Sequence, residues 1–162
     1  MTRVYISIGS NIDKETSIRK GIADMQQVFG ELELSSIYQS EAVGFKGDDF
    51  YNLVAAFDTE TDVLTISRQL HEIEDKNGRD RSGPRFSSRT LDLDLLVYDE
   101  LITNENGLDV PRGEILENAF VLWPLAEIAP DLKHPVIGRT YSELWSAFDK
   151  TKERLCPVAF DW

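Results

Sequence analysis

The run "RTLDLDLLVYDE", residues 89 to 100, constrains the fold of this chain more than any other stretch. Leu91, Leu93 and Leu95 alternate with Asp92 and Asp94, the period of two that sends successive side chains to opposite faces of a β-strand. One face is apolar and needs helices packed against it. The other carries two carboxylates about 7 Å apart along the strand. Asp is disfavoured in strands because its short side chain competes for backbone hydrogen bonds, so two of them inside an apolar run ask for a reason. Ionised side by side they repel unless a cation lies between them. Oxygen ligands of this kind suit Mg²⁺, which takes one or two protein carboxylates and completes its octahedron with water and substrate phosphates.

The segment just upstream, "KNGRDRSGPRFSSR" (76 to 89), carries Lys76, Arg79, Arg81, Arg85 and Arg89 against Asp80, a local charge of +4 in a chain of 162 residues whose net charge is −12. Such a reversal suits an anionic ligand. Arginines beside paired carboxylates are the parts of a metal-assisted phosphoryl-transfer site. Taken singly, the loop reads as a solvated basic segment and the strand as an acidic edge; their adjacency favours the site. The charge of −12 argues against a general nucleic-acid binder, and no RNP-type aromatic strand accompanies it. No apolar run reaches the ~20 residues of a membrane span. "MTRVYISIGSNI" reads as a strand rather than a signal peptide. A cytoplasmic protein is therefore expected, with no membrane or nucleic-acid partner. Cys156 has no second cysteine to pair with, and with only His71 and His134 beside it there is no zinc set.

Other patterns place this strand in a single domain over 1–162, with no internal repeat or interdomain linker. Val4, Ile6 and Ile8 mark a first strand, and "GSN" at 9 to 11 offers a turn and helix cap. "GSN" is not a phosphate loop, since neither GxxxxGK[ST] nor GxGxxG occurs. Ile18, Ile22, Met25 and Phe29 predict a helix closed by Gly30. "ELELSSIYQS" and "DFYNLVAAFDTE" read as strands, the second more central. Val63, Ile66, Leu70 and Ile73 predict a helix capped by Thr61 or Asp62 and ending near Gly78. Downstream, "FVLWPLAEIAPDL" reads as an apolar helix bracketed by prolines, and Thr140 with Glu143 fits a capping box. The order β-α-β-β-α-β with a helical C-terminal third is that of a ferredoxin-like α+β sandwich, an antiparallel sheet with helices on one face.

Several weaker candidates stand out. His71 and Glu74 lie three apart on a helix flank. Asn52, an amide inside an apolar strand, is either paired in the interior or reads a polar ring. Phe50 and Phe120 are by default core residues. Segments 41–49 and 79–89 are polar and contain Gly44, Gly47 and Gly83, the composition of loops that order over bound substrates.

Together "YISIGSNI", "FYNLVAAFDT", "RDRSGPRFSSRTLDLDLLVYDE", "LDVPR" and "NAFVLWPLAEIAPDL" resemble one family, the 6-hydroxymethyl-7,8-dihydropterin pyrophosphokinases of folate biosynthesis. The resemblance implies transfer of a diphosphate from ATP to the pterin hydroxymethyl group with release of AMP. It implies two Mg²⁺ ions on Asp92 and Asp94, and Arg79 and Arg89 on the ATP phosphates and the departing AMP. Arg81 and Arg112 would join them, and His71 and Glu74 would line the nucleotide pocket, His71 standing where Gln is usual. The pterin would stack between Phe50 and Phe120, with Asn52 on its ring edge and the backbone near Ser40 and Val43 completing the slot. A monomer acting on small molecules is expected. The chain departs from the pattern at Pro111-Arg112, where "PH" is usual, at Asn118 for Arg, at Phe86 for Trp, at "SSRTLDLD" for "GPRTLDLD", and around Gly107, where a basic residue is usual. These departures thin the shell expected to grip ATP, and leave open a divergent paralogue acting on a related pterin, or a pterin- or nucleotide-binding module without chemistry.

Overall fold

The computed structural model describes residues 1–40, 49–78, 91–151, 154–160 and 162. In chain order the elements are β1 (Thr2–Ser10), α1 (Lys14–Phe29), β2 (Glu33–Leu34), β3 (Ile37–Ser40), β4 (Phe50–Thr59), α2 (Val63–Lys76), β5 (Asp92–Tyr98), α3 (Glu114–Glu117), α4 (Ala119–Ile128), α5 (Tyr141–Ala147) and β6 (Leu155–Val158). The strands form one sheet in the order β5-β1-β4-β3-β6, with β2 also on β4, and every pairing among them is antiparallel. This is the expected ferredoxin-like α+β sandwich. Among the described residues no helix is long and apolar enough to cross a membrane.

Alternation along the central strands builds two cores. Val4, Ile6 and Ile8 of β1, Leu53, Ala55 and Phe57 of β4, and Leu93 and Leu95 of β5 meet Ile18, Ile22 and Met25 of α1 and Ile66, Leu70 and Ile73 of α2. On the opposite face Tyr5, Val54, Ala56, Leu96 and Val97 pack against Val121, Leu122 and Leu125 of α4 and Tyr141 of α5. Helices therefore cover both faces, not one. The physical reason is that the second face is itself apolar over half its length and has to be taken out of water. A bulge in β5 serves this face: Ile6 pairs with Leu95 while Tyr5 pairs with Val97, so Leu96 is the extra residue and both it and Val97 enter the second core.

Local chemistry explains the element ends. Asp62 caps α2 through the Thr65 N–H at 2.8 Å, and Thr140 with Glu143 forms the capping box of α5. Gly30, at φ 84°, closes α1. Other expectations shift. "GSN" is not the cap of α1, because β1 runs on to Ser10 and the N-cap is Asp13. "ELELSSIYQS" breaks into β2 and β3 where the Ser35 hydroxyl accepts the Val54 N–H at 2.9 Å. Pro124 lies inside α4 rather than beside it, so Phe120 has no N–H to receive four residues on. The C-terminal third is not all helical: β6 pairs with β3.

Gly21 is a close-packing point. A Cβ on it would stand 2.8 Å from both methyl carbons of Leu91, which is 1% exposed and directly precedes the first aspartate. Gly21→Ala gains about 1 kcal/mol of helix propensity but forces α1 away from Leu91, an overpacking cost of about 1–3 kcal/mol. A net loss of stability is expected in denaturant melts, and a more stable variant would refute the packing argument.

Candidate active site

The second face of the sheet is apolar at one end and polar at the other. Cross-strand partners share a face, so the register lists its floor directly. Tyr38, Asn52, Gly9 and Asp92 form one row across β3, β4, β1 and β5. The next row is Val54, Ser7 and Asp94. Strands lie ~4.8 Å apart, so Asn52 and Asp92 stand about 10 Å from each other with one residue between them. That residue has no side chain. A Cβ on Gly9 would meet Asn52 Oδ1 at 3.1 Å and Phe50 Cδ1 at 3.7 Å, and the glycine therefore leaves a bare floor between amide and carboxylate.

Asn52 is 4% exposed and its Nδ2 donates to Ser40 Oγ at 2.7 Å, which sets the direction of the amide. The first of its two sequence readings holds: the amide is paired in the interior. Phe50 shares this face two residues back along β4, half-buried. Helix α4 is pinned antiparallel to β3: Glu127 accepts from the Ser36 N–H at 3.0 Å, and Trp123 lies against Tyr38 with ring centroids 4.6 Å apart. One more step in the same direction, a helical turn against two strand residues, brings Phe120 to the level of Ser40 and its partner Phe50.

The acidic end differs from a simple solvent face. A quarter of the Asp94 side chain stays exposed. Burial first, then the charge of Asp92, push the Asp94 carboxyl above the usual carboxylate range, with Arg112 pulling the other way. Two carboxylates whose joint ionisation is disfavoured are a donor set for a hard divalent cation. Among the described residues no group of three or more His, Cys, Asp or Glu gathers into a metal site; a pair is the complement that Mg²⁺ takes alongside substrate phosphates. Asp92 and Asp94 therefore fit the ion that the sequence calls for.

Beside Asp94 opens a pocket of about 60 Å³ lined by His71 and Ser67 of α2, Leu93, Gly107, Asp109 and Arg112. His71 is exposed there. Glu74 is not: it is 3% exposed, and its Oε2 accepts the Leu93 N–H at 2.8 Å. The two residues paired in the sequence reading thus part company, because the apolar stripe of α2 carries Glu74 inward beside Ile73 and leaves His71 outside. Glu74 holds the backbone of β5 at the residue between the two aspartates. Arg112 also docks on β5, its N–H donating to the Leu96 carbonyl at 2.9 Å. Its guanidinium lies 2.9 Å from Glu114 Oε1 and 3.5 Å from Asp94 Oδ1. Arg79, Arg81, Arg85, Arg89, Val43 and Phe86 lie outside the described residues, as do 41–48 and 79–90.

Sequence reasoning missed Gly9, Ser7 and Glu114. Gly9 had a signal: a glycine inside an otherwise apolar strand marks a close approach. Glu114 had none, since its part depends on where Arg112 sits.

Residues 5–130 match the model of the 7,8-dihydro-6-hydroxymethylpterin-pyrophosphokinase (HPPK) family. The chain belongs to this family. It is 38% identical over 149 residues to the 2-amino-4-hydroxy-6-hydroxymethyldihydropteridine pyrophosphokinase of Pseudomonas aeruginosa, covering 90% of this chain and 91% of that one. It is 36% identical over 140 residues to the protein of that name from Haemophilus influenzae, covering 83% and 86%. Among solved structures, HPPK-DHPS of Plasmodium falciparum superposes with a TM-score of 0.68 at 13% identity over 91% of this chain and 43% of that one. At that identity it shows the shared fold, and this HPPK chain corresponds to less than half of it.

Two outcomes follow from the site. Asp94→Asn removes the cost of burying this carboxyl beside Asp92, a cost present above the ordinary carboxylate pKa, so at neutral pH the metal-free variant should melt higher than the parent, by roughly 2–4 °C for each kcal/mol relieved, while losing turnover; a lower melting temperature in EDTA would contradict that cost. Glu74→Ala leaves the Leu93 N–H buried and unpaired, at a cost of about 1–3 kcal/mol, and should lower kcat through a loosened β5. A variant with unchanged stability and unchanged kcat would show that the bond positions nothing.

Proposed function

We propose that this HPPK-family chain transfers a diphosphate from ATP to the hydroxymethyl group of 6-hydroxymethyl-7,8-dihydropterin, with Mg²⁺ on Asp92 and Asp94. The observation that carries the reading is the row Asn52, Gly9, Asp92: an oriented amide and a carboxylate about 10 Å apart over a floor with no side chain between them. A flat heteroaromatic ring beside Asn52 has its substituent directed along that floor toward the aspartates. Phe50 and Phe120 supply ring faces for stacking, and Asn52 Oδ1, free of the Ser40 bond, reads a ring N–H.

The reaction joins the hydroxymethyl oxygen to the β-phosphorus and breaks the bond between that phosphorus and the α-phosphate oxygen. AMP leaves with the bonding electrons, and the hydroxyl gives up its proton. Asp92 and Asp94 would hold Mg²⁺, which would supply charge neutralisation for the transferring phosphates. The chain's own part is positioning. Asn52 and the phenylalanines hold the acceptor, Glu74 holds the strand that bears the carboxylates, and Arg79, Arg81 and Arg89 are assigned to the phosphates and the leaving AMP. His71 and Arg112, which line the small pocket beside Asp94, are assigned to the nucleotide.

The reading is tested by incubating the chain with ATP, Mg²⁺ and 6-hydroxymethyl-7,8-dihydropterin and separating the nucleotides. AMP formed in step with pterin diphosphate is expected, and Asp92→Ala should abolish it while remaining folded. ADP would mean ordinary kinase chemistry, and no turnover would favour a binding module. A further outcome concerns the thinned nucleotide shell. Asn118 makes no side-chain cap bond at the start of α4, so Asn118→Arg should cost the fold little. One added charge-assisted phosphate contact is worth about 1.5–3 kcal/mol, which is roughly a ten- to hundredfold gain in ATP affinity. Calorimetric titration showing no gain would mean that the existing arginines already saturate the phosphates.

A further inference from the structure

Arg112 occupies an unusual position for a residue assigned to nucleotide. Its N–H is bonded to Leu96 on the outer edge of β5, which fixes its Cα two residues beyond Asp94. Its side chain bridges two carboxylates unequally. Nε donates to Glu114 Oε1 at 3.0 Å and Nη2 lies 2.9 Å from the same oxygen, a double charge-assisted contact. Asp94 Oδ1 stands at 3.5 Å, beyond the range of a strong hydrogen bond but well within reach of Coulomb attraction. Glu114 is thus the holder and Asp94 the looser partner. Burial works against the guanidinium charge, and Asp94 and Glu114 more than offset it, holding Arg112 above its ordinary pKa. About a third of each of the Arg112 and Glu114 side chains is exposed, so the arginine has room to turn.

We propose that Arg112 is a resident counter-ion for Asp94, one that disfavours a bare divalent cation at the paired carboxylates and swings to the polyphosphate when metal and nucleotide arrive together. This rests on the assignment of Asp92 and Asp94 as metal ligands. Without nucleotide, a dication at Asp94 has to displace or face a fixed positive charge a few ångströms away. With nucleotide, the triphosphate offers Arg112 an anion in exchange for the carboxylate it gives up. The same side chain therefore opposes the metal alone and supports the metal–nucleotide pair. By linkage it must strengthen the coupling between the two ligands. The pocket that Arg112 shares with Asp94 and His71 is where both meet.

The test is direct binding of Mn²⁺, followed by loss of the free-ion electron paramagnetic resonance signal, to the full chain with and without a nonhydrolysable ATP analogue at pH 8. Arg112→Gln should bind Mn²⁺ alone roughly tenfold more tightly than the parent, equivalent to about 1.4 kcal/mol, and should show a weaker enhancement by nucleotide. Arg112→His, uncharged at that pH, should behave in the same way, and Arg112→Lys should stay close to the parent. If neither neutral variant gains affinity for Mn²⁺ alone, the counter-ion role is overturned. Asp94→Asn separates this from the assignment beneath it. If that variant loses Mn²⁺ binding while the Arg112 variants match the parent, only the counter-ion proposal fails; if it binds Mn²⁺ as the parent does, the metal site itself is misplaced.

Discussion

The free edge of β5 is the constraint on which the site depends. Among the described residues this strand ends the sheet, pairing with β1 on one side only, and an edge strand presents backbone groups that have to find partners elsewhere. Two of its outward groups are satisfied by neighbours that also belong to the site: the Leu93 N–H by Glu74 and the Leu96 carbonyl by the Arg112 N–H. The bond from Glu74 falls on the residue between Asp92 and Asp94. Thus α2, which covers the first face of the sheet, also fixes the height and tilt of two carboxylates on the second.

Division of the second face into an apolar and a polar half follows from the same alternation. Along β4, Phe50, Asn52, Val54 and Ala56 share a face, as do Tyr5, Ser7 and Gly9 along β1. Val54, Ala56 and Tyr5 are roofed by α4 and α5, while the polar residues and the glycine form the floor of the candidate site. The roof is held in place by Glu127 on Ser36 and Tyr38 and by the stacking of Trp123 on Trp145 at 5.1 Å. A site on rigid strands, with its aromatic wall on a helix pinned at several points, suits a reaction that asks mainly for positioning. Membership of the HPPK family gives that geometry its chemical context.

The acidic end stores electrostatic tension. Asp94 is raised by burial and by Asp92, and the charge that relieves it belongs to Arg112, itself shared with Glu114. Under the proposed assignment, a cation at the aspartates and an anion at the arginine would each lower this tension. After Pro111 this chain places a permanent cation, Arg112, so the balance around Asp94 holds across the whole physiological pH range.

The sequence by itself determined the elements whose signals are local. Period-two alternation in 91–97, the helical stripes of α1 and α2, the Asp62 cap and the Thr140 and Glu143 box can each be read from neighbouring residues, because the forces that set them act within one turn or one strand. The placing of Asp92 and Asp94 on one face was legible for the same reason. Other features were decided only by the tertiary structure. Covering of both sheet faces, the addition of β6 to the edge, Glu74 turned inward while His71 stays out, and Gly9 as bare floor between Asn52 and Asp92 all depend on which strand lies beside which. No stretch of sequence contains those neighbours, since strands distant in the chain, such as β1 and β4 or β1 and β5, become adjacent only when burial of the apolar faces brings them together.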